Sequence, residues 1–193
     1  MAQADTGTPD EILVVAAILG DLAAFDELVL RYRSAVIRTS RVLVPREDAE
    51  DIAQEAWLLA FKALPTLEEP KKFPAWLHAI TRRCAIRFSQ RSRQRSRGLV
   101  ALDEVILEQV PALRGPVPED NARVELQFAL DRIPSDYALA LRLHFLDEMP
   151  LKRIARFLGV TLATVKWRIH NGKKLLRAEL KELTGRIRNG QRK

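Results

Sequence analysis

The sequence predicts an all-α protein of two small helical domains, a helical bundle and then a helix-turn-helix unit, joined by a flexible linker. Three observations carry this expectation. The 193 residues are rich in Ala, Leu and Arg and poor in alternating β-branched runs, a composition that favours helix. Apolar residues recur at three-and-four spacing in successive segments, each bounded by Pro, Gly or a capping residue. That periodicity fails between Arg91 and Asn121, dividing the chain into two units of a size that small domains commonly have.

Taken in order, the first helix is a short apolar one from Asp10 to Leu19, stopped by Gly20. Asp21 can cap a longer helix that Pro45 ends near Val44. A third, from about Arg46 to Leu64, begins with Glu47, Asp48, Glu50 and Asp51, placed to suit the positive end of the helix dipole. The loop "PTLEEPKKFP" leads into a fourth helix, Pro74 to Gln90, whose Leu77, Ile80, Cys84 and Phe88 mark a buried face. Cys84 is thus expected to be a small core hydrophobe, and as the only cysteine it excludes an intrachain disulfide and a cysteine-rich metal site. In the second unit, helices are expected over Ala122–Arg132, over Ser135–Asp147 with Ser135 as cap, over Leu151–Leu158 and over Thr161 to about Leu183. The remaining "GRIRNGQRK" reads as a frayed basic tail.

Charge is zoned. The charged residues from Met1 to Leu30 are all acidic, whereas Arg82, Arg83, Arg87, Arg91, Arg93, Arg95 and Arg97 crowd one stretch without an acid. From Pro150 to Lys193 thirteen Lys or Arg face only Glu179 and Glu182, so two basic zones flank an acidic one, the footprint of a polyanion binder. The longest apolar run, "ILVVAAIL" at 12–19, is too short to span a bilayer and follows acids where a signal peptide needs positive charge. A cytoplasmic protein without membrane insertion is expected.

"MPLKRIARFLGVTLATVKWRIH" has the physical marks of a helix-turn-helix, two short helices packed so that one can enter the major groove. Leu151, Ile154, Ala155 and Leu158 face one way, Gly159 permits the turn, Val160 plugs the gap and Thr161 caps the second helix. On that helix Leu162, Val165, Ile169, Gly172 and Leu176 share a sector of about 80°. Trp167 lies about 160° from its centre, beside Ala163, His170 and Lys174, and is predicted to point outward. Lys166, Arg168, Lys173 and Lys174 on such a helix suit DNA better than a merely solvated face. On the third helix Ala49, Ile52, Ala56, Leu59 and Ala63 form the core sector, leaving Asp51, Gln54, Glu55, Trp57, Leu58 and Phe61 as an acidic and aromatic stripe suited to a basic partner.

The segment "LDRIPSDYALALRLHFLDEMPLKRIARFLGVTLATVKWRIHNGKKLLRAEL" resembles region 4 of bacterial sigma factors. "GDLAAFDELVLRYR", "DAEDIAQEAWLLAFKAL" and "FPAWLHAITRRCA" resemble region 2 of the extracytoplasmic-function (ECF) group. The resemblance implies region 2 over 10–97, a linker over 98–121, region 4 over 122–184 and a basic tail over 185–193. It implies a transcription initiation factor, not an enzyme, with no cofactor or metal, whose partners are core RNA polymerase, promoter DNA and an anti-sigma factor. Polymerase would be gripped by Asp51, Gln54, Glu55, Trp57, Leu58 and Phe61. Lys71, Lys72, Arg82, Arg83 and Arg87 would contact the minus-ten element. Ala163, Thr164, Lys166, Trp167, Arg168, His170, Asn171 and Lys174 would contact the minus-thirty-five element. This chain departs from the family's pattern at Glu68 and Glu69 in the loop, at Arg83, at Trp167 and at Asn171. An indole can pack on a thymine methyl but cannot make the bidentate bonds that read guanine.

Two alternatives stand beside this reading. A helix-turn-helix regulator acting without polymerase accounts for the second unit but leaves the "DAEDIAQEAW" helix and first basic zone unused. A sigma mimic that sequesters an anti-sigma factor is expected to carry a receiver domain and a less basic region 4, unlike this chain.

Overall fold

The computed structural model describes residues 8–99 and 122–190, with side chains described for 8–92 and 124–183. Eight α-helices lie among them: α1 (Asp10–Ile18), α2 (Leu22–Leu43), α3 (Ala49–Ala63), α4 (Phe73–Leu99), α5 (Ala122–Arg132), α6 (Ser135–Phe145), α7 (Leu151–Leu158) and α8 (Leu162–Gly190). Two 3₁₀ turns, Leu64–Thr66 and Pro70–Lys72, join α3 to α4. No described residue is in a strand, and no helix among them is long and apolar enough to cross a membrane.

α2 is the axis of the first unit, packed against α1, α3 and α4. Its start is fixed locally, because Asp21 Oδ1 accepts the Ala24 N–H at 3.1 Å. Leu28, Tyr32, Ala35 and Val36 are buried along one face, and the hydroxyls of Thr39 and Ser40 donate back to the carbonyls of Ala35 and Val36. α1 is tied on by a buried acid: Asp10 accepts from the Tyr32 hydroxyl at 2.5 Å and from Arg31 Nη1 at 2.8 Å. Burial, then that bond to Asp10, pushes the Tyr32 phenol far above its ordinary value, so it stays neutral and donating.

In the second unit α8 lies along α5, α6 and α7. Gly172 is where α8 meets α6 most closely: a Cβ there would stand 3.1 Å from Leu141 Cδ1 and 3.2 Å from Tyr137 Cβ. Buried Arg142 donates to Asp131 at 2.5 Å, and Arg132 pairs with Glu179 at 2.8 Å, fastening α5 to α6 and α8.

The structure differs from the sequence expectation at several helix ends. α3 begins at Ala49, residues 46–48 forming a turn instead of its first residues. α4 does not stop near Gln90 but continues through the Arg and Ser run to Leu99, because that run contains no Pro and only Gly98 to break it. Ser135 is not a cap: Pro134 occupies the N-cap without a side-chain bond and Ser135 is the first helical residue. α8 runs on through Arg186 and Arg188 to Gly190 where a frayed tail was expected. The expected linker from Val100 to Asn121 and the last three residues of the expected tail lie outside the described residues.

The two units share a core. α7 packs on α4, and α6 packs on α2. Phe157 of α7, fully buried, stacks on Tyr32 with ring centroids 5.9 Å apart and meets the edge of His78 at 5.0 Å. Arg38 of α2 grips Asp147, after α6, through Nε and Nη2 at 3.0 to 3.2 Å.

Candidate nucleic-acid and protein interfaces

The small inner face of α3, with Ala49, Ala53, Ala56 and Ala60 buried, lets the helix lie close to its neighbours and turns the opposite face to solvent. There Asp51, Gln54, Glu55, Leu58 and Phe61 are exposed and Trp57 is half-buried. Leu58, 54% exposed, and Phe61, 43% exposed, are one helical turn apart and adjoin on this face. Phe25 props the aromatics from beneath, edge-on to Trp57 at 5.9 Å and to Phe61 at 5.0 Å. The Trp57 Nε1 is buried with no hydrogen-bond acceptor among the described residues. The stripe read from the sequence is therefore a contiguous apolar and acidic face.

Before α4, Pro70 opens the 3₁₀ turn that carries Lys71 and Lys72, both exposed. Lys72 Nζ donates to Glu69 at 2.5 Å, and this bond raises its pKa. The loop acids thus neutralise one of the two lysines expected to meet DNA. Arg82, Arg83 and Arg87 project from the outer face of α4, while Leu77, Thr81, Cys84 and Ala85 face the core. Burial pushes the Cys84 thiol up, as for an inert core cysteine. Half-exposed Ile86 lies among the arginines along a cleft of about 520 Å³ whose far wall includes Leu158 of α7.

The turn between α7 and α8 is built locally. Gly159 is left-handed at φ 65°, its N–H bonds Arg156 O at 3.4 Å and the Val160 N–H bonds Ala155 O at 3.1 Å, a Schellman ending. Thr161 Oγ1 accepts the Thr164 N–H at 3.1 Å and begins α8. Val165, Ile169 and Gly172 are buried, while Ala163, Lys166, Trp167, His170 and Lys174 are exposed and Thr164, Arg168 and Asn171 half-exposed. Trp167, 56% exposed, leans on Tyr137 of α6 at 5.6 Å. Arg168 Nη2 donates to Asp136 Oδ2 at 2.7 Å, and Asn171 Nδ2 donates to the Trp167 carbonyl at 3.1 Å. Of the residues expected to read bases, Arg168 and Asn171 are thus held by the protein itself, and Trp167, Lys166 and His170 present the freest surface.

Sequence reasoning missed the residues between the units: Tyr32, Arg38, His78, Asp147 and Phe157. One signal was present. Phe157 lies about 110° round the wheel from the centre of the Leu151, Ile154, Ala155 and Leu158 stripe, an aromatic side chain off the α7 face that meets α8. His78 is pulled down to about 4 by burial, then by Arg82 and Arg168, against the opposing pull of Asp136.

Residues 28–96 match the Sigma-70 region 2 family and residues 123–176 the Sigma-70, region 4 family. The chain is 28% identical over 180 residues to the ECF RNA polymerase sigma factor SigW of Bacillus subtilis, covering 85% of this chain and 92% of that protein. It is 36% identical over 168 residues to the ECF RNA polymerase sigma factor SigE of Mycolicibacterium smegmatis, covering 82% of this chain and 63% of that one. A solved structure with the same fold is that of the sigma factor RpoE in complex with the anti-sigma factor NepR from Bartonella quintana. It has TM-score 0.52 and 23% identity, over 81% of this chain and 96% of that one.

Proposed function

Because the chain belongs to the sigma-70 family, among its ECF sigma factors, we propose that it docks on core RNA polymerase through α3 and directs it to promoters carrying particular minus-ten and minus-thirty-five elements. The polymerase supplies the chemistry, and this chain supplies selection. The observation that carries the reading is the outer face of α3, where Leu58 and Phe61 lie exposed beside Asp51, Gln54 and Glu55. Apolar anchors ringed by carboxylates suit a basic protein surface and have no use in a DNA-binding regulator that works alone.

Lys71, Lys72, Arg82, Arg83 and Arg87 hold the minus-ten DNA, largely through phosphates, which position the duplex without specifying sequence. Ala163, Thr164, Lys166, Trp167, Arg168, His170, Asn171 and Lys174 form the minus-thirty-five surface, with the indole covering apolar base or sugar edges. The domains run over 10–97 and 122–184. An anti-sigma factor restrains the protein, a proposal supported by the NepR complex of the RpoE relative.

Run-off transcription with core polymerase tests this reading: promoter-specific product is expected on adding the protein. Asp51→Arg is expected to abolish co-migration with core polymerase on gel filtration while leaving helicity unchanged. A wild-type chain that gives no product and does not co-migrate, with no inhibitor present, is a sigma mimic or a stand-alone regulator instead.

A further inference from the structure

We propose that the cavity between the C-terminal end of α2 and α5 is a binding site for a small amphipathic monoanion, a carboxylate head on an apolar body, whose head is received by Arg38, Arg41 and Arg46. None of these residues belongs to the surfaces assigned to polymerase or promoter DNA, and the site does not rest on the sigma reading.

The cavity, of about 410 Å³, has two kinds of wall. Arg38 and Arg41, one turn apart near the end of α2, and Arg46 in the turn that follows make the basic wall. Leu126 and Phe128 of α5, both half-buried, and Leu146 at the end of α6, 43% exposed, make the apolar one. A volume of this size suits a small molecule, and apolar lining with a few convergent polar groups is the usual build of such a site.

The acids of the protein do not saturate these arginines. Arg38 is engaged by Asp147 at 3.0 to 3.2 Å, but Arg41 reaches Glu50 only through Nη2 at 3.4 Å, and its Nε is buried with no acceptor among the described residues. Arg46 is exposed and makes no ion pair among the described residues. Asp131, the acid lining the cavity, is already taken by Arg142, whose side chain is 3% exposed and whose Nε also lacks an acceptor among the described residues. Arg38, Arg41, Arg46 and Arg142 set against Asp147, Glu50 and Asp131 leave one positive charge over. A single carboxylate matches that excess, supplies acceptors to guanidinium donors that lack them, and can take two parallel bonds from one arginine. A nucleic-acid phosphate would answer the arginines but has no use for the apolar wall, whereas an apolar body on the carboxylate removes that wall from water.

Calorimetric titration of the full chain with octanoate at pH 7 tests the site, beside acetate and octanol, which carry the head or the body alone. Octanoate is expected to bind once per chain and to raise the melting temperature, since it binds the folded state. Acetate and octanol are expected to bind at least tenfold more weakly. Arg41→Gln and, independently, Arg46→Gln are expected to weaken octanoate roughly tenfold, the size expected for losing a charge-assisted hydrogen bond. Leu146→Asn is expected to weaken it several-fold, and Arg33→Gln, on an exposed position of α2 outside the cavity, to leave it unchanged. Circular dichroism checks that each variant keeps its helix content; Arg46 and Leu146 are exposed, so their variants remain informative if Arg41→Gln loses it. The proposal is overturned if octanoate does not bind, if acetate or octanol binds as tightly, or if Arg33→Gln weakens binding as much as the cavity variants do. Run-off product decides the sigma reading separately.

Discussion

Trp167 and Gly172 sit five residues apart on α8 and answer to opposite demands. Trp167 is mostly exposed, with Tyr137 its ring contact, so Trp167→Ala is expected to cost under about 1 kcal/mol in urea denaturation. The same change is expected to remove most transcription from promoters that depend on the minus-thirty-five element, measured by run-off. Gly172 has no side chain to lose, yet Gly172→Ala forces a methyl to within 3.1 Å of Leu141 and 3.2 Å of Tyr137. Because the second contact is to a Cβ, relief requires α6 to shift, and a loss of about 1 to 3 kcal/mol in the same measurement is expected. Both roles were legible in the sequence as wheel positions, one in and one out. What the wheel could not give was Tyr137 and Asp136 waiting on α6 to hold the indole and Arg168, since those partners come from a different helix.

At the scale of elements, α7, its turn and α8 could be read because every determinant is local: Gly159 accepts a left-handed backbone and Thr161 caps four residues of chain. α4 was read short because its last turns carry no apolar period, only arginines and serines, and helix without a buried face leaves little pattern to find. The Arg38–Asp147 pair spans 109 residues and leaves no local trace at all. His78 belongs to this class, and its surroundings predict a pH response. It is packed against Phe157 of α7, with Arg82 on its own helix, Asp136 on α6 and Arg168 on α8 as its charged neighbours, and its pKa falls to about 4. In the unfolded chain it returns to about 6.5. The unfolded chain therefore binds the proton more readily, so this contribution to stability is full above about pH 6.5 and is lost as pH falls toward 4. The urea midpoint is expected to drop from pH 7 to pH 5 in the wild type, and His78→Leu is expected to flatten that dependence.

At the scale of the whole molecule, a chain that reads as two domains folds with one shared core, since α2 and α4 contribute to both sides of the α6 and α7 contact. Calorimetry of the free wild type is expected to show a single cooperative transition, whereas Asp147→Arg is expected to split it into two, as for units that no longer stabilise each other. The zoning of charge was legible from the sequence alone: arginines along α4, lysines and arginines along α8. The mutual packing was not, because it depends on faces that each unit would otherwise leave bare. Phe157 makes the point: its ring partners, Tyr32 and His78, stand far back along the chain on α2 and α4. A substitution on either of those helices is therefore felt at the helix-turn-helix, and the two halves of the sequence are not free to drift independently of each other.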